Sequence, residues 1–428
     1  MILIKDCRIL PMTGQGDFIE NGYIVVDGDQ IKEIKAGEAP NGSFSDVIDG
    51  RDMVAMPGLI NAHTHAAMTL LRSYADDLPL MEWLETKIWP VEDKMTGDDI
   101  YWGTMLCILE MIKSGTTCFA DMYFKMDRVA EAVAETGIRA SLSRGMIGVG
   151  PENEAAIEQS RELVAQWHRK AKGRIEWMLG PHAPYTCPPD YLKRVIALSE
   201  ELDVRLNIHL SETLYEFNTI QAQYGKTPIG LMEELGLFER PVVAAHCVHL
   251  TDDDIEILAR RKVGVVHNPE SNMKLASGIA RVTDMLAAGI PVALGTDGAS
   301  SNNDLDMIQE LRSASFLQKV STLDPLAIPA YTALEMATVN GAKALGLDNV
   351  GMLKPGMKAD IILIDLDKPH LYPHHDITAH IAYAASGSDV DTVLVNGKVL
   401  MQGRKMQTID EQQVISKVKE HIRALLAR

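Results

Sequence analysis

The sequence predicts an α/β chain: a (β/α)8 TIM-like barrel joined to a small β-sandwich built from both chain ends. Three observations predict it. The middle of the 428 residues alternates short apolar runs with amphipathic helical patterns. Both ends are strand-rich and turn-rich instead. Histidines and an aspartate stand at the ends of the apolar runs, where barrel enzymes place their chemistry.

The N-terminal part, residues 1–56, opens with MILIKDCRIL and YIVVDGDQIKEIK, both of strand-type composition with a turn signal in VDGDQ. Residues 350–428 match it with GMLKPGMKADIILIDLD and DTVLVNGKVLMQGRK, where Asn396-Gly397 is a hairpin turn. A terminal helix is expected over 409–426, packed outside, and His168 and His421, both on helical patterns, are expected at the surface. These two parts make the sandwich, and residues 57–349 make the barrel.

Within the barrel, strands are expected at 54–62 (VAMPGLINA), 116–122, 139–144, 175–181, 205–211, 242–247, 263–267 and 291–296. Helical patterns such as DRVAEAVAET, DYLKRVIALSEEL and TDDDIEILARR lie between them. Eight strand–helix repeats favour a closed barrel over an open doubly wound sheet, whose GxGxxG after the first strand is absent.

Charge and cysteines bound the partners. The formal net charge is −18, which repels phosphate backbones and anionic lipid, so neither nucleic acid nor a membrane is expected. Five scattered cysteines without CxxC spacing fit reduced thiols in a cytoplasmic protein. No signal peptide and no run of the ~20 apolar residues of a membrane helix is expected.

Side chains two apart on a strand point the same way. His63 and His65, in LINAHTHAAMTLL, therefore aim together from the end of the first strand. They suit a divalent metal, or else form a hydrogen-bonded pair at the barrel mouth. His209 in NIHLSE, His246 in AAHCVHL and Asp297 in ALGTDGAS reach the same rim from strands five, six and eight.

PGLINAHTH, HxxE, AHC and GTDG together resemble the amidohydrolase superfamily. EWLETKIWPVED, ADMYF, GPHAPYTC, HLSET, HNPESNMKLASGIA and GTDGASSNN, in that order, resemble its 5-methylthioadenosine/S-adenosylhomocysteine deaminases across essentially the whole chain. The resemblance implies one divalent ion per subunit on His63, His65, His209 and Asp297. Zinc is the expected metal and iron the second choice. IEWMLGPHAP has no lysine to bridge a second metal.

The resemblance also implies roles. Glu212 is the acid that protonates the ring nitrogen beside the attacked carbon. Asp297 takes the proton of the attacking water, and His246 steadies the tetrahedral oxygen, with direct ligation left open. Glu92 grips both ribose hydroxyls, and Arg144 is placed for a substrate carboxylate or for a rim salt bridge. Trp83 offers a flat wall, His182 contacts purine or ribose, and Ser301 holds the base edge. The loop GMIGVGPENEA after Arg144 lacks the further arginine of some members. This favours substrates without a distal carboxylate over S-adenosylhomocysteine.

The expected activity is hydrolytic deamination of a 5′-modified adenosine to its inosine analogue and ammonia, by a homo-oligomer. Two alternatives stand beside it. One is an amidohydrolase acting on another heterocycle, such as guanine or a triazine. The other is a barrel paralogue that serves assembly without catalysis.

Overall fold

In the computed structural model, which describes residues 1–150 and 153–428, both terminal segments enter one sheet. Its strands are β1 (Ile2–Ile9), β2 (Ile19–Asp27), β3 (Gln30–Ala36), β4 (Asp46–Asp49) and β5 (Met53–Pro57) from the front of the chain. The back supplies β14 (Ile361–Asp365), β15 (Val390–Val395), β16 (Lys398–Gln402) and β17 (Lys405–Met406). The seam is antiparallel pairing of β5 with β14, from Ile361 opposite Pro57 to Asp365 opposite Met53. Asn396 and Gly397 both have positive φ, +52° and +72°, as the expected hairpin turn requires. The sheet curls over on itself. A Cβ on Gly397 would lie 2.0 Å from the Gly28 carbonyl, so the β15–β16 and β2–β3 turns touch. Ile4, Ile9, Ile24, Ile31, Ile361 and Leu363 share the core between.

The barrel is a parallel eight-stranded sheet in sequence order. It runs β6 (Leu59–Thr64), β7 (Thr116–Tyr123), β8 (Arg139–Met146), β9 (Ile175–Pro181), β10 (Arg205–Leu210), β11 (Val242–His246), β12 (Gly264–His267) and β13 (Val292–Leu294). Closure comes just past β13, where the Asp297 amide donates to the His63 carbonyl at 3.0 Å. Asn61 ties the same seam: its Oδ1 accepts from the Thr296 amide at 3.0 Å and its Nδ2 donates to Thr296 Oγ1 at 2.7 Å. Ile60, Ala62, Cys118, Ala120, Met178, Val243, Val266 and Ala293 fill the interior. Both faces of these strands are covered, which is why they read as continuous apolar runs.

One expected strand divides. Residues 54–62 are two strands, β5 in the terminal sheet and β6 in the barrel. Pro57 has no amide for a ladder. At Gly58 a Cβ would lie 2.0 Å from Thr117 Oγ1, so only glycine lets the chain cross between sheets. The buried Arg139–Asp360 pair then fixes one sheet to the other, with Nε–Oδ2 at 2.8 Å.

The terminal helix, Glu411–Ala427, is more than an outer cover. His421, expected at the surface, donates from Nδ1 to the fully buried Asp99 at 2.7 Å, and Arg428 reaches the same carboxylate at 2.6 Å. His168 is likewise half-buried and accepts the Trp177 amide at 3.1 Å. Burial raises the Asp99 pKa, but Arg428, the Thr96 amide and His421 outweigh it and hold it at about 2. The helix anchor is therefore expected to persist from neutral pH to below the ordinary carboxylate value near 3.9 and to fail as pH falls through about 2. Amide exchange along Glu411–Ala427 should quicken only at that acid end. In Asp99→Ala it should be fast at neutral pH as well.

Candidate functional site

The rim donors converge. His63 Nε2 and His65 Nε2 lie 3.3 Å and 3.2 Å from Asp297 Oδ1, and His209 Nε2 lies 3.4 Å from His65 Nε2. Backbone carbonyls set two of the tautomers. His65 Nδ1 donates to Met122 O at 2.7 Å and His209 Nδ1 donates to His182 O at 2.8 Å. A carbonyl only accepts, so each ring keeps its Nδ1 proton and turns Nε2 inward as the atom a cation would take. Neither ring nitrogen of the buried His63 has a hydrogen-bond partner, and Asp297 Oδ1 has none either.

Such unpartnered buried atoms are costly unless something binds them. A tetrahedral zinc with bonds of about 2.0–2.1 Å has edges of about 3.3–3.4 Å between ligand atoms. The spacings here match that figure, and imidazole with carboxylate is a donor set such an ion accepts. His246 is a further donor close by, grouped with His63 and His209 within 4.8 Å.

Burial and charge set the protonation. Burial pushes His63 to about 4 despite Asp297. Burial together with the neighbouring rings takes His182 to about 4 and His209 well down. At His65 the same burial is outweighed by Asp297, which lifts the ring to about 9 and shows how strongly this carboxylate draws positive charge.

The supporting groups are built into the same strand ends. Asp297 has φ +62° and His246 φ +74°, left-handed backbone that costs non-glycine residues energy and turns the side chains into the barrel mouth. Asp297 Oδ2 accepts from Ser271 Oγ at 2.7 Å and Ser301 Oγ at 2.8 Å, leaving Oδ1 for the histidines. His246 Nδ1 lies 2.9 Å from Asn272 Oδ1, and its Nε2 is 3.9 Å from Glu212 Oε2. Burial raises the Glu212 carboxyl above its ordinary value, the direction an acid needs.

Sequence reasoning missed two buried acids. Glu216 accepts the Ser211 amide at 2.8 Å and the Glu212 amide at 3.0 Å, and so fixes the backbone that carries Glu212. Asp121 accepts from Thr64 Oγ1 at 2.9 Å and the Ala66 amide at 2.7 Å, bracketing His65. The rim rule used for Asp297 applies equally to Asp121 near the end of β7. Glu216 gave only its spacing, four residues after Glu212.

One cavity opens over the donors. His65, His209, His246, Asp297, Glu212, Glu92, His182, Trp83 and Ser301 all line it, with His63 buried alongside. Leu80, Leu84, Trp89, Phe124, Ile147 and Tyr185 add apolar wall. Glu92 is buried and accepts the Tyr123 hydroxyl on Oε1. Trp83 is held edgewise by Nε1–H donation to Ala75 O at 2.9 Å. His182 Nδ1 is 2.9 Å from Thr186 Oγ1. Arg144 does not line this cavity. It lines an adjoining one that shares Glu92, Trp89, Phe124 and Ile147, and it donates to Gln159 Oε1 at 2.8 Å and Gly145 O at 2.7 Å.

The amidohydrolase family profile matches residues 54–400, which span the barrel and the β14 and β15 strands. The chain belongs to the amidohydrolase family. Among its relatives, a 5-methylthioadenosine/S-adenosylhomocysteine deaminase of Syntrophomonas wolfei is 59% identical over the full length of both chains. One of the same name from Pelotomaculum thermopropionicum is 57% identical, covering 100% of this chain and 99% of that one. Among solved amidohydrolases, a zinc-bound adenosine deaminase from Xanthomonas campestris superposes with a TM-score of 0.95 at 34% identity, covering 100% and 99% of the two chains. A zinc-bound atrazine chlorohydrolase from Arthrobacter aurescens gives 0.92 at 26% identity, covering 99% and 100%.

Proposed function

We propose that this amidohydrolase is a zinc-dependent hydrolytic deaminase of 5′-modified adenosines, converting 5-methylthioadenosine, S-adenosylhomocysteine, adenosine or 5′-deoxyadenosine to the inosine analogue and ammonia. The single observation that carries the reading is one cavity that holds the metal donors, the buried Glu212 and the buried Glu92 together. The names of the full-length relatives and of the adenosine deaminase agree with it.

His63, His65, His209 and Asp297 would hold one ion, zinc by preference and iron(II) second. When bound, such an ion lowers the pKa of water from 15.7 to about 7. Asp297 accepts the proton of the water that adds to the purine carbon bearing the amine. Glu212 donates a proton to the ring nitrogen beside that carbon, so the ring takes up the electron pair without building negative charge. His246 Nε2 faces the new oxygen and steadies it. The proton on Asp297 passes to the amine, the carbon–nitrogen bond breaks, ammonia leaves, and the second proton of the added water returns to the Glu212 carboxylate, which leaves the carbonyl of the inosine analogue and the acid restored. The apolar wall and Trp83 exclude bulk water from the base, and His182 and Ser301 border it.

Glu92 accepts hydrogen bonds from both ribose hydroxyls, one per oxygen. Beyond it the Arg144 cavity receives the 5′ substituent. One arginine there, already bonded to Gln159 and Gly145, favours uncharged substituents over a homocysteine tail.

The same reading has a small nucleoside as partner and a homo-oligomer in the cytoplasm as its setting. Among the described residues no helix is long and apolar enough to cross a membrane, and all five cysteines are buried free thiols.

An ammonia-release panel tests it, with the four nucleosides and guanine as substrates. Uncharged 5′-substituted adenosines should lead. Guanine preferred over every nucleoside would overturn the substrate class. Glu92→Gln should raise KM for the nucleosides roughly 10–100-fold, the value of a hydrogen bond to a charged group. Unchanged kinetics would remove Glu92 from the ribose and readmit a triazine or another heterocycle.

A further inference from the structure

Between Ser73 and Glu92 the chain leaves the barrel rim and roofs the cavity. Three successive helical turns, Leu80–Trp83, Leu84–Ile88 and Trp89–Glu92, supply Leu80, Trp83, Leu84, Trp89 and Glu92 to its wall. Ser73 and Asp77 take φ values of +55° and +61°, left-handed backbone that costs a non-glycine residue energy and has to be held from outside. Apolar packing holds most of this roof, and the Tyr123 hydroxyl holds Glu92 at its far end. The near end is held by charge. Lys274 Nζ donates to Asp76 Oδ1 at 2.5 Å, to the Ser300 carbonyl at 3.3 Å and to Asn303 Oδ1. Asn303 Nδ2 in turn donates to Ser73 Oγ at 2.8 Å. Among the described residues no other side chain from Ser73 to Val91 forms an ion pair.

Lys274 stands where the roof meets the supports of the reacting groups. It lies three residues after Ser271 on the helix Pro269–Lys274, and Ser271 Oγ donates to Asp297 Oδ2. Asn272 of the same helix reaches His246 Nδ1 with its Oδ1 at 2.9 Å. Ser300 and Asn303 bracket Ser301, whose hydroxyl is the other donor to Asp297 Oδ2. One ammonium therefore joins the roof to both groups that leave Asp297 Oδ1 facing the histidines. The Lys274 side chain is only 24% exposed. An ammonium so placed is costly without partners, and the three acceptors match its three N–H bonds.

We propose that Lys274 is a positioning residue for the deamination, a latch that makes closure of the roof over the nucleoside and alignment of Asp297 one event. The proposal rests on the deaminase reading above. Substrate that engages Glu92 and the apolar wall holds the roof down. The roof sets Asp76 against Lys274, and Lys274 holds the 300–303 loop that carries Ser301. Asp297 is then aligned for proton transfer only when the roof excludes bulk water.

Asp76→Asn tests the latch from a side chain outside the cavity wall. Amide exchange read by mass spectrometry should quicken roughly 10-fold over Leu80–Glu92, the low end for a charged hydrogen bond because the pair is partly exposed. It should quicken as much over Gly298–Asn303, where the Ser301, Asn302 and Asn303 amides are hydrogen-bonded within the loop. In the wild type, 5-methylthioadenosine should slow both segments together. The variant's kcat should fall roughly 10-fold, more than KM rises, with bound metal and thermal midpoint unchanged. Lys274→Arg should keep most of the turnover that Lys274→Met loses. Faster exchange of the roof alone, of neither segment, or a raised KM at constant kcat would each overturn the proposal. A wild type inert towards every nucleoside would overturn the deaminase reading instead, and the paired exchange in Asp76→Asn would still decide the latch.

Discussion

Asp297→Asn is expected to lower turnover by about 10⁴-fold or more and to strip the protein of most of its metal. The proton-transfer share alone is on the order of 10²–10⁴, and loss of a charged ligand adds to it. The substitution keeps the size and leaves Ser271 and Ser301 their acceptor, if the amide oxygen takes the Oδ2 place. The amide nitrogen then faces His63 and His65, where Asp297 Oδ1 lies at 3.3 Å and 3.2 Å. It donates to their Nε2 lone pairs and competes with the cation for them. Metal analysis by mass spectrometry beside kcat is the measurement. An Asn variant with full metal and wild-type kcat would remove Asp297 from both of its assigned tasks. Far-UV circular dichroism should not change, because the barrel seam uses the Asp297 amide and not its side chain.

The rim donors were legible for a physical reason. A parallel barrel exposes only the C-terminal ends of its strands to a shared space, so polar residues at those ends stand out against apolar runs. His63, His65, His209, His246 and Asp297 all obey that rule, and so does the missed Asp121. Glu216 obeys no such rule. It sits on a helix after β10 and reaches back to two amides, a contact between successive elements that spacing alone does not specify.

The boundary between the two sheets was less legible. VAMPGLINA reads as one strand because both halves are buried, and burial is the same in either sheet. Only Pro57 and Gly58 mark the crossing, and a proline–glycine pair is as compatible with a bulge. His421 went astray similarly. Helical periodicity predicts which face is polar, but the carboxylate that holds His421 is 322 residues away in the chain. Arg144 shows the converse. Its strand position was right, yet it opens on the neighbouring cavity, because side chains alternate along β8: Gly145 lines the main cavity, and Arg144 shares the opposite face with Ala140 and Leu142.

Glu212→Gln is the cleaner probe of chemistry, since it should spare the metal. The side chain touches no metal donor except His246, at 3.9 Å, and its backbone is held by Glu216 whatever the side chain carries. Glutamine fills the same volume and can still donate a hydrogen bond to the ring nitrogen. It cannot give up a proton. The expected result is a kcat lower by roughly 10²–10⁴-fold, KM within a few-fold of wild type, and unchanged bound metal. A role in binding alone would instead raise KM at constant kcat. Retained kcat would mean that the ring is protonated from elsewhere in the cavity, where His246 lies 3.9 Å from Glu212 and His182 and Tyr185 also line the wall. The double variant Glu212→Gln with Glu92→Gln separates the two ends of the substrate. If one acts on the base and the other on the ribose, their free-energy costs should add, because groups without a shared partner act independently.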